Sequence, residues 1–281
     1  MSNITLGILL LVAGNFFASL SDVAVKLLNG EVPPLQYIFF RQLLSLLLIT
    51  PLWLKQNRVQ RRLKQAKITF ARGQLILIGS GCMVVAITHL PLATANAVFY
   101  VAPLLMLPLS ILLLGERPAL GKVVATTIGF IGALIVLRPS QFHWAAVFAL
   151  GTACTLALFN VLVRKLPSEQ SVVTTLWWTT LFSLPAALIL CVLFWSPISW
   201  GHLGYIALSA TLILAYNGLA VSAYQKAHSS QIALAEYSGL VFVALIGMIW
   251  FNEIPDILTF IGILLIVLPL APIPRIKKGA R

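Results

Sequence analysis

The chain has 281 residues, of which 60% are hydrophobic and only 9% charged, with a formal net charge of +12. A soluble domain carries about 25% charged residues, so this composition describes an integral membrane protein and excludes a sizeable soluble domain. The basic excess does not mark a nucleic-acid binder, because most of it lies in short segments between apolar runs, the orientation signal of a multispanning protein.

Ten apolar runs are candidate membrane-crossing helices. They fall at residues 4–28, 34–54, 73–90, 92–115, 120–138, 143–164, 171–194, 200–225, 229–251 and 256–273. No basic segment precedes the first run, whose first charges are Asp22 and Lys26, so a cleavable leader is not expected. Only Pro91 separates the third and fourth runs, which predicts a tight antiparallel pair. Cys82, Cys154 and Cys191 lie singly inside apolar runs, without the spacing of a metal site or redox pair. No cofactor is expected. Phosphate loop, zinc-protease motif and nucleophile elbow are all missing, so neither an enzyme nor an ATP-driven pump is indicated.

Lys and Arg set the orientation. With the N-terminus in the cytoplasm, Lys55, Arg58, Arg61, Arg62, Lys64, Lys67 and Arg72 fall in one cytoplasmic loop. Arg117, Lys122, Arg164, Lys165, Lys226, Arg275, Lys277, Lys278 and Arg281 join them on that side, giving sixteen of the nineteen basic residues. Ten spans with both termini cytoplasmic satisfy this split, as expected of a multi-pass protein of a bacterial inner membrane.

The sequence also repeats itself. Leu92 to Pro118 is echoed by Ser229 to Pro255, so that Tyr100 meets Tyr237, Glu116 meets Glu253 and Pro118 meets Pro255. Ser21 to Lys26 aligns with Phe159 to Arg164, Glu31 with Glu169, Phe39-Phe40 with Trp177-Trp178, and Phe130-Ile131-Gly132 with Phe260-Ile261-Gly262. The expected architecture is all-α: residues 1–138 and 139–281 as two five-helix repeats. An odd number of spans per repeat forces the two to insert in opposite directions, the plan of many secondary transporters.

Phe-Phe-Arg at 39–41, Gly-Glu-Arg-Pro at 115–118 and Asn-Glu-Ile-Pro-Asp at 252–256, in this order across two five-span halves, resemble the drug/metabolite transporter superfamily in its EamA-type branch. Ser-Asp-Val-Ala-Val-Lys in the first span and Phe-Asn-Glu-Ile-Pro-Asp after the ninth look most like the subgroup of S-adenosylmethionine and riboflavin transporters. The resemblance spans essentially the whole chain. It implies a basket of ten helices around a central cavity, with the fifth and tenth helices outside it. The broader branch also contains amino-acid and metallophore exporters.

Charges within a membrane cost at least ~2.5–3.5 kcal/mol each near its centre and are retained for a reason. Asn15, Ser19, Asp22 and Lys26 share one face of the first helix, which cannot look at lipid. For Asp22 and Lys26 the structural alternative is an ion pair within that helix. Arg41 lies roughly 12 Å deep in the second span at 1.5 Å per residue, at the depth of Asp22, and its repeat partner is the neutral Thr179. A structural bridge to Asp22 competes with contact to cargo. Glu236, followed by Tyr237, is the leading candidate, because its repeat partner is Phe99 and a lone carboxylate there suits a cation or a proton. Asn96, Tyr100, Tyr216 and Asn217 complete the expected substrate-binding set. Ser80, Thr88, His89, Tyr224 and Gln225 are weaker candidates, Trp177 and Trp178 read as an interfacial belt, and Glu116 and Glu253 read as helix-end residues.

These residues describe a secondary transporter that moves a small polar or zwitterionic metabolite by alternating access. The cargo is amino-acid-like, metallophore-like or nucleoside- or vitamin-like, with export preferred. Uptake of S-adenosylmethionine or riboflavin is the alternative, and a lipid-linked substrate flippase the second. Expected partners are the small-molecule substrate and membrane lipid, with proton coupling and a monomer or homodimer both left open.

Overall fold

Backbone amides have no water to bond in hydrocarbon, so an apolar run there must pair its own N–H and C=O groups as a helix. The computed structural model describes residues 3–115, 120–137, 143–163, 165–167, 169–226, 235 and 238–267. Among these the chain is all-helical. The helices are α1 (Asn3–Lys26), α2 (Pro34–Leu54), α3 (Ala66–His89), α4 (Leu92–Phe99), α5 (Ala102–Leu114), α6 (Leu120–Leu137), α7 (Ala145–Val163), α8 (Val172–Leu193), α9 (Trp200–Lys226), α10 (Ser238–Phe251) and α11 (Ile257–Val267). Six of them, α1, α2, α3, α7, α8 and α9, contain segments long and apolar enough to cross a membrane.

Prolines and left-handed residues punctuate the chain where the sequence changes character. Pro33 and Pro91 stand at the N-caps of α2 and α4, and the Ser171 hydroxyl caps α8 by accepting the Thr174 N–H at 3.2 Å. Gly115 (φ 68°) and Asn252 (φ 54°) turn the chain left-handed after α5 and α10. Both sit one residue before the repeated acids Glu116 and Glu253. Glycine and asparagine are the residues that tolerate this conformation.

Two expectations need correction. The run 92–115 is not one helix but two: α4 ends at Phe99, Tyr100 and Val101 form a turn, and α5 starts at Ala102. Proline at 103 has no N–H to offer the Phe99 carbonyl, and a proline ring inside a helix clashes with the carbonyl four residues before it, which favours a break there. The Val101 amide turns back to Val98 O at 3.0 Å, and the Leu104 amide restarts the ladder on Val101 O at 2.9 Å. The third helix begins at Ala66 rather than 73, which carries Arg72 into the helix and buries it at 4% exposure.

Packing crosses the chain's midpoint. Helix α1 lies along α9 and α3 along α7; α2 faces α8, α6 faces α11, and α4 meets α10. Small residues permit these approaches. A Cβ on Gly79 would stand 2.5 Å from Thr155 Oγ1 on α7, and one on Gly73 would stand 2.8 Å from Thr179 O on α8. Polar contacts join the halves at each end of the bundle. Glu31 in the α1–α2 turn meets His202 Nε2 of α9 at 3.0 Å, and Gln36 donates to Ser196 O at 2.7 Å. At the other end Lys64 meets Glu169 at 2.6 Å, while Trp177 stacks on Trp53 at 4.1 Å and Trp178 donates to Arg61 O at 3.0 Å. These tryptophans therefore clamp the α2–α3 loop onto α8.

Candidate functional site

The polar face of α1 turns inward, as helical spacing requires, and meets α10 and α4. Asn15 Nδ2 donates to Ala235 O at 2.8 Å and to Ser238 Oγ at 3.1 Å. The Ser19 hydroxyl donates to Asn15 O at 2.8 Å and reaches Gly239 O at 3.4 Å. Tyr100, at the break between α4 and α5, lays its hydroxyl over Gly239, where a Cβ would come within 2.0 Å of it. Asn15, Ser19 and Tyr100 thus converge on the first residues of α10. The two residues just before that helix, Glu236 and Tyr237, lie outside the described residues.

Asp22 is one turn further along α1. Its half-buried carboxylate faces the Asn96 amide of α4 and stands in the field of Arg41. Asn96 Nδ2 also reaches Leu92 O at 3.2 Å. Arg41 is buried on α2 at 6% exposure; it donates from Nη2 to the Ser80 hydroxyl of α3 and lies 5.7 Å from the centre of the Tyr37 ring. Its Nε–H has no partner among the described residues. The Tyr37 hydroxyl in turn shares a 2.7 Å hydrogen bond with Ser209 Oγ of α9, which shares another of 2.7 Å with Ser21. A buried guanidinium with an unused N–H beside a carboxylate that it does not contact directly can receive a ligand with charges of both signs.

Two ion pairs entertained for these charges are not the ones formed. Lys26 does not close onto Asp22 within α1; its ammonium pairs with Glu253 in the turn after α10. Arg41 and Asp22 form no direct salt bridge either; the guanidinium donates from Nη2 to the Ser80 hydroxyl instead. Glu253 is therefore more than a helix-end residue. Tyr216 packs against Gly14, where a Cβ would lie 3.3 Å from its Cδ2, within a cluster of Leu11, Ala220, Ala223 and Ala235. That places it nearer Asn15 than Asp22 along α1. Asn217 follows it on α9, half-exposed and without a hydrogen bond among the described residues. His89 bonds its own helix through Val85 O at 3.0 Å and meets the Trp144 ring edge at 4.7 Å, as an interface residue does.

Sequence reasoning missed Tyr37 and Ser209, although Tyr37 stands one turn before Arg41 and their spacing could have pointed to it. It missed Arg72 as well, whose guanidinium lies 3.9 Å from the Phe159 ring centre, with Nε donating to Phe159 O at 3.3 Å. No group of three or more His, Cys, Asp or Glu that could hold a metal occurs among the described residues.

Comparison with known proteins gives these charges a context. Residues 5–138 and 143–271 each match the model of the EamA-like transporter family. The chain is 28% identical to the pseudopaline exporter CntI of Pseudomonas aeruginosa, over 97% of both proteins. It is 24% identical to an S-adenosylmethionine uptake transporter of Rickettsia prowazekii, over 89% of this chain and 86% of that one. With a riboflavin transporter of Vibrio cholerae it shares 26% identity over 97% of this chain and 94% of the relative. One solved crystal structure has the same fold at a TM-score of 0.61 and 19% identity, covering 94% of this chain and 95% of its own.

Proposed function

Because the chain belongs to the EamA-like transporter family, we propose that it is a ten-span alternating-access carrier that exports a small zwitterionic metabolite across the bacterial cytoplasmic membrane. Residues 1–138 and 139–281 are its two inverted repeats, and both termini are cytoplasmic. The exchange of helix partners supports this reading. The contact of α1 with α9 has its counterpart in that of α3 with α7, and the contact of α10 with α1 has its counterpart in that of α5 with α7. Inverted halves that exchange partners in this way supply two near-equivalent conformations from one sequence plan.

The single observation that carries the cargo assignment is the placement of Asp22 in the field of a buried Arg41 whose Nε–H has no partner among the described residues. An ammonium group on the cargo satisfies Asp22, a carboxylate satisfies Arg41, and Asn15, Ser19 and Tyr100 complete the wall, with Glu236 a further candidate on sequence grounds. Export is favoured by the pseudopaline exporter's similarity over nearly its whole length, and uptake by that of the S-adenosylmethionine and riboflavin transporters. The test is a metabolite panel in proteoliposomes of known orientation, with and without a pH gradient. Net movement from the cytoplasmic face supports export, movement only in the opposite direction replaces it with uptake, and no movement of any zwitterion removes the cargo assignment.

A further inference from the structure

The Asp22–Asn96 site has a roof. Lys26 and Leu92 each stand four residues from a site residue, Lys26 from Asp22 on α1 and Leu92 from Asn96 on α4. Four residues of helix rise about 6 Å. Both residues are held by one side chain from the other half of the protein. Glu253 Oε1 takes the Lys26 ammonium, and Glu253 Oε2 accepts the backbone N–H of Leu92 at 2.7 Å. Lys26 Nζ also donates to Leu90 O at 3.0 Å and stands 5.4 Å from the Phe251 ring centre.

The local backbone aims Glu253 there. Asn252 takes the left-handed turn (φ 54°), and the Glu253 amide folds back onto Gly247 O at 3.0 Å. The side chains of Lys26 and Glu253 are only 14% and 19% exposed. Partial desolvation strengthens their attraction over that of a surface pair, and the amide bond fixes the carboxylate's direction. One carboxylate thereby ties together the end of α1, the α3–α4 turn and the α10–α11 turn.

We propose that Glu253 is a latch: through Lys26 and the Leu92 amide it holds shut the end of the cargo site next to Asp22 and Asn96, and it must release both for cargo to pass that way. The inference rests on the alternating-access reading. Its distinctive content is that site and latch share two rigid helices, so anything that spreads Asp22 from Asn96 also pulls Lys26 from Leu92. Lys26 and Glu253 act through the site helices and are positioning residues.

The test is a distance measurement on the full chain in lipid nanodiscs. Cys82, Cys154 and Cys191 are replaced by serine, and spin labels are attached at N29C and I254C, both exposed positions at this end of the two halves. In the wild-type background the short distance should predominate. E253Q and K26Q should each raise the long-distance fraction at least threefold, and K26E combined with E253K should return at least half of the lost short fraction. If E253Q does not fold, E253D retains the charge but withdraws it by one methylene, and should also raise the long fraction. Two populations that stay unchanged in every folded variant would overturn the latch while leaving alternating access intact. A single short distance in all variants would overturn both.

Discussion

The hydroxyl of Tyr100 rests where a side chain on Gly239 would have to be: a Cβ there would lie 2.0 Å from the oxygen and 3.2 Å from Cζ. Two positions from opposite halves thus share one space beside Asn15 and Ser19, and the glycine is what lets α4 and α10 meet. Gly239→Ala should destabilise the protein by about 1–3 kcal/mol through overpacking. Combining it with Tyr100→Phe, which removes the oxygen, should recover part of that loss. Thermal unfolding in detergent, followed by size-exclusion monitoring, reads both effects. An alanine variant as stable as wild type would mean that the two helices are not pressed together here.

Arg41 should not be replaceable by lysine. A planar guanidinium donates to Ser80 and still keeps N–H groups for a carboxylate, which a single ammonium cannot reproduce in the same geometry. Arg41→Lys and Arg41→Ala should both reduce transport at least tenfold, about 1.4 kcal/mol, in protein that still purifies as a folded species. Full activity of Arg41→Lys would reduce the residue to a source of charge.

Glu236 is expected to supply a second negative determinant, because its repeat partner Phe99 is buried and neutral, so the repeat architecture does not require an acid there. Glu236→Gln keeps size and hydrogen-bonding capacity. Proteoliposome transport should fall at least tenfold, about 1.4 kcal/mol, with expression unchanged. A variant with wild-type rate would return Glu236 to a packing role.

At the opposite end of the bundle, the pairing of Glu169 with Lys64 holds the Glu169 carboxyl below its usual range, the side-chain hydrogen bond being the larger cause. A depressed folded-state pKa stabilises above the unfolded value, and that contribution is lost as pH falls through the folded value. The pair is open to solvent and screened, so Glu169→Gln should leave Tm at pH 7 within error of wild type. On the acid limb of a Tm-versus-pH curve, where the contribution is already lost, the two proteins should coincide. A clear loss of Tm at pH 7 would mean that this contact does more than sit in water.

The repeat aligns Lys26 with Arg164 and Glu253 with Glu116. Both partners lie outside the described residues; the repeat alignment alone predicts that they form the counterpart of the Lys26–Glu253 pair at the other end of the bundle. Glu116→Gln and Glu253→Gln should then bias the carrier in opposite directions. Alkylation of engineered cysteines from either side of the membrane reads this, and the same bias from both would refute it.

Much of this fold is written in the chain because hydrocarbon leaves it few choices. The run 34–54 became a helix with the same limits, since prolines and charges at its ends stop it for reasons local to the sequence. The start of α3 was missed because Lys67 and Arg72 resemble loop charges until Phe159 is there to cover the guanidinium. The break at Tyr100 was legible in Pro103 but was masked by unbroken apolarity. In the site, the inward face of α1 follows from periodicity alone. Whether Lys26 pairs with Asp22 or with Glu253, 227 residues away in sequence, depends on tertiary placement that no spacing rule reports.

The central claim is that cargo bridges Asp22 and Arg41 with groups of opposite charge. The most direct measurement pairs substitutions in the protein with changes in the cargo, in proteoliposomes and using the best zwitterion from the panel. Asp22→Asn should lose its discrimination between that compound and its N-acetylated form. Arg41→Ala should lose discrimination between the compound and its methyl ester, and each variant should keep the other preference. Wild-type discrimination retained by both variants, or a cargo carried equally well without either charge, would contradict the account.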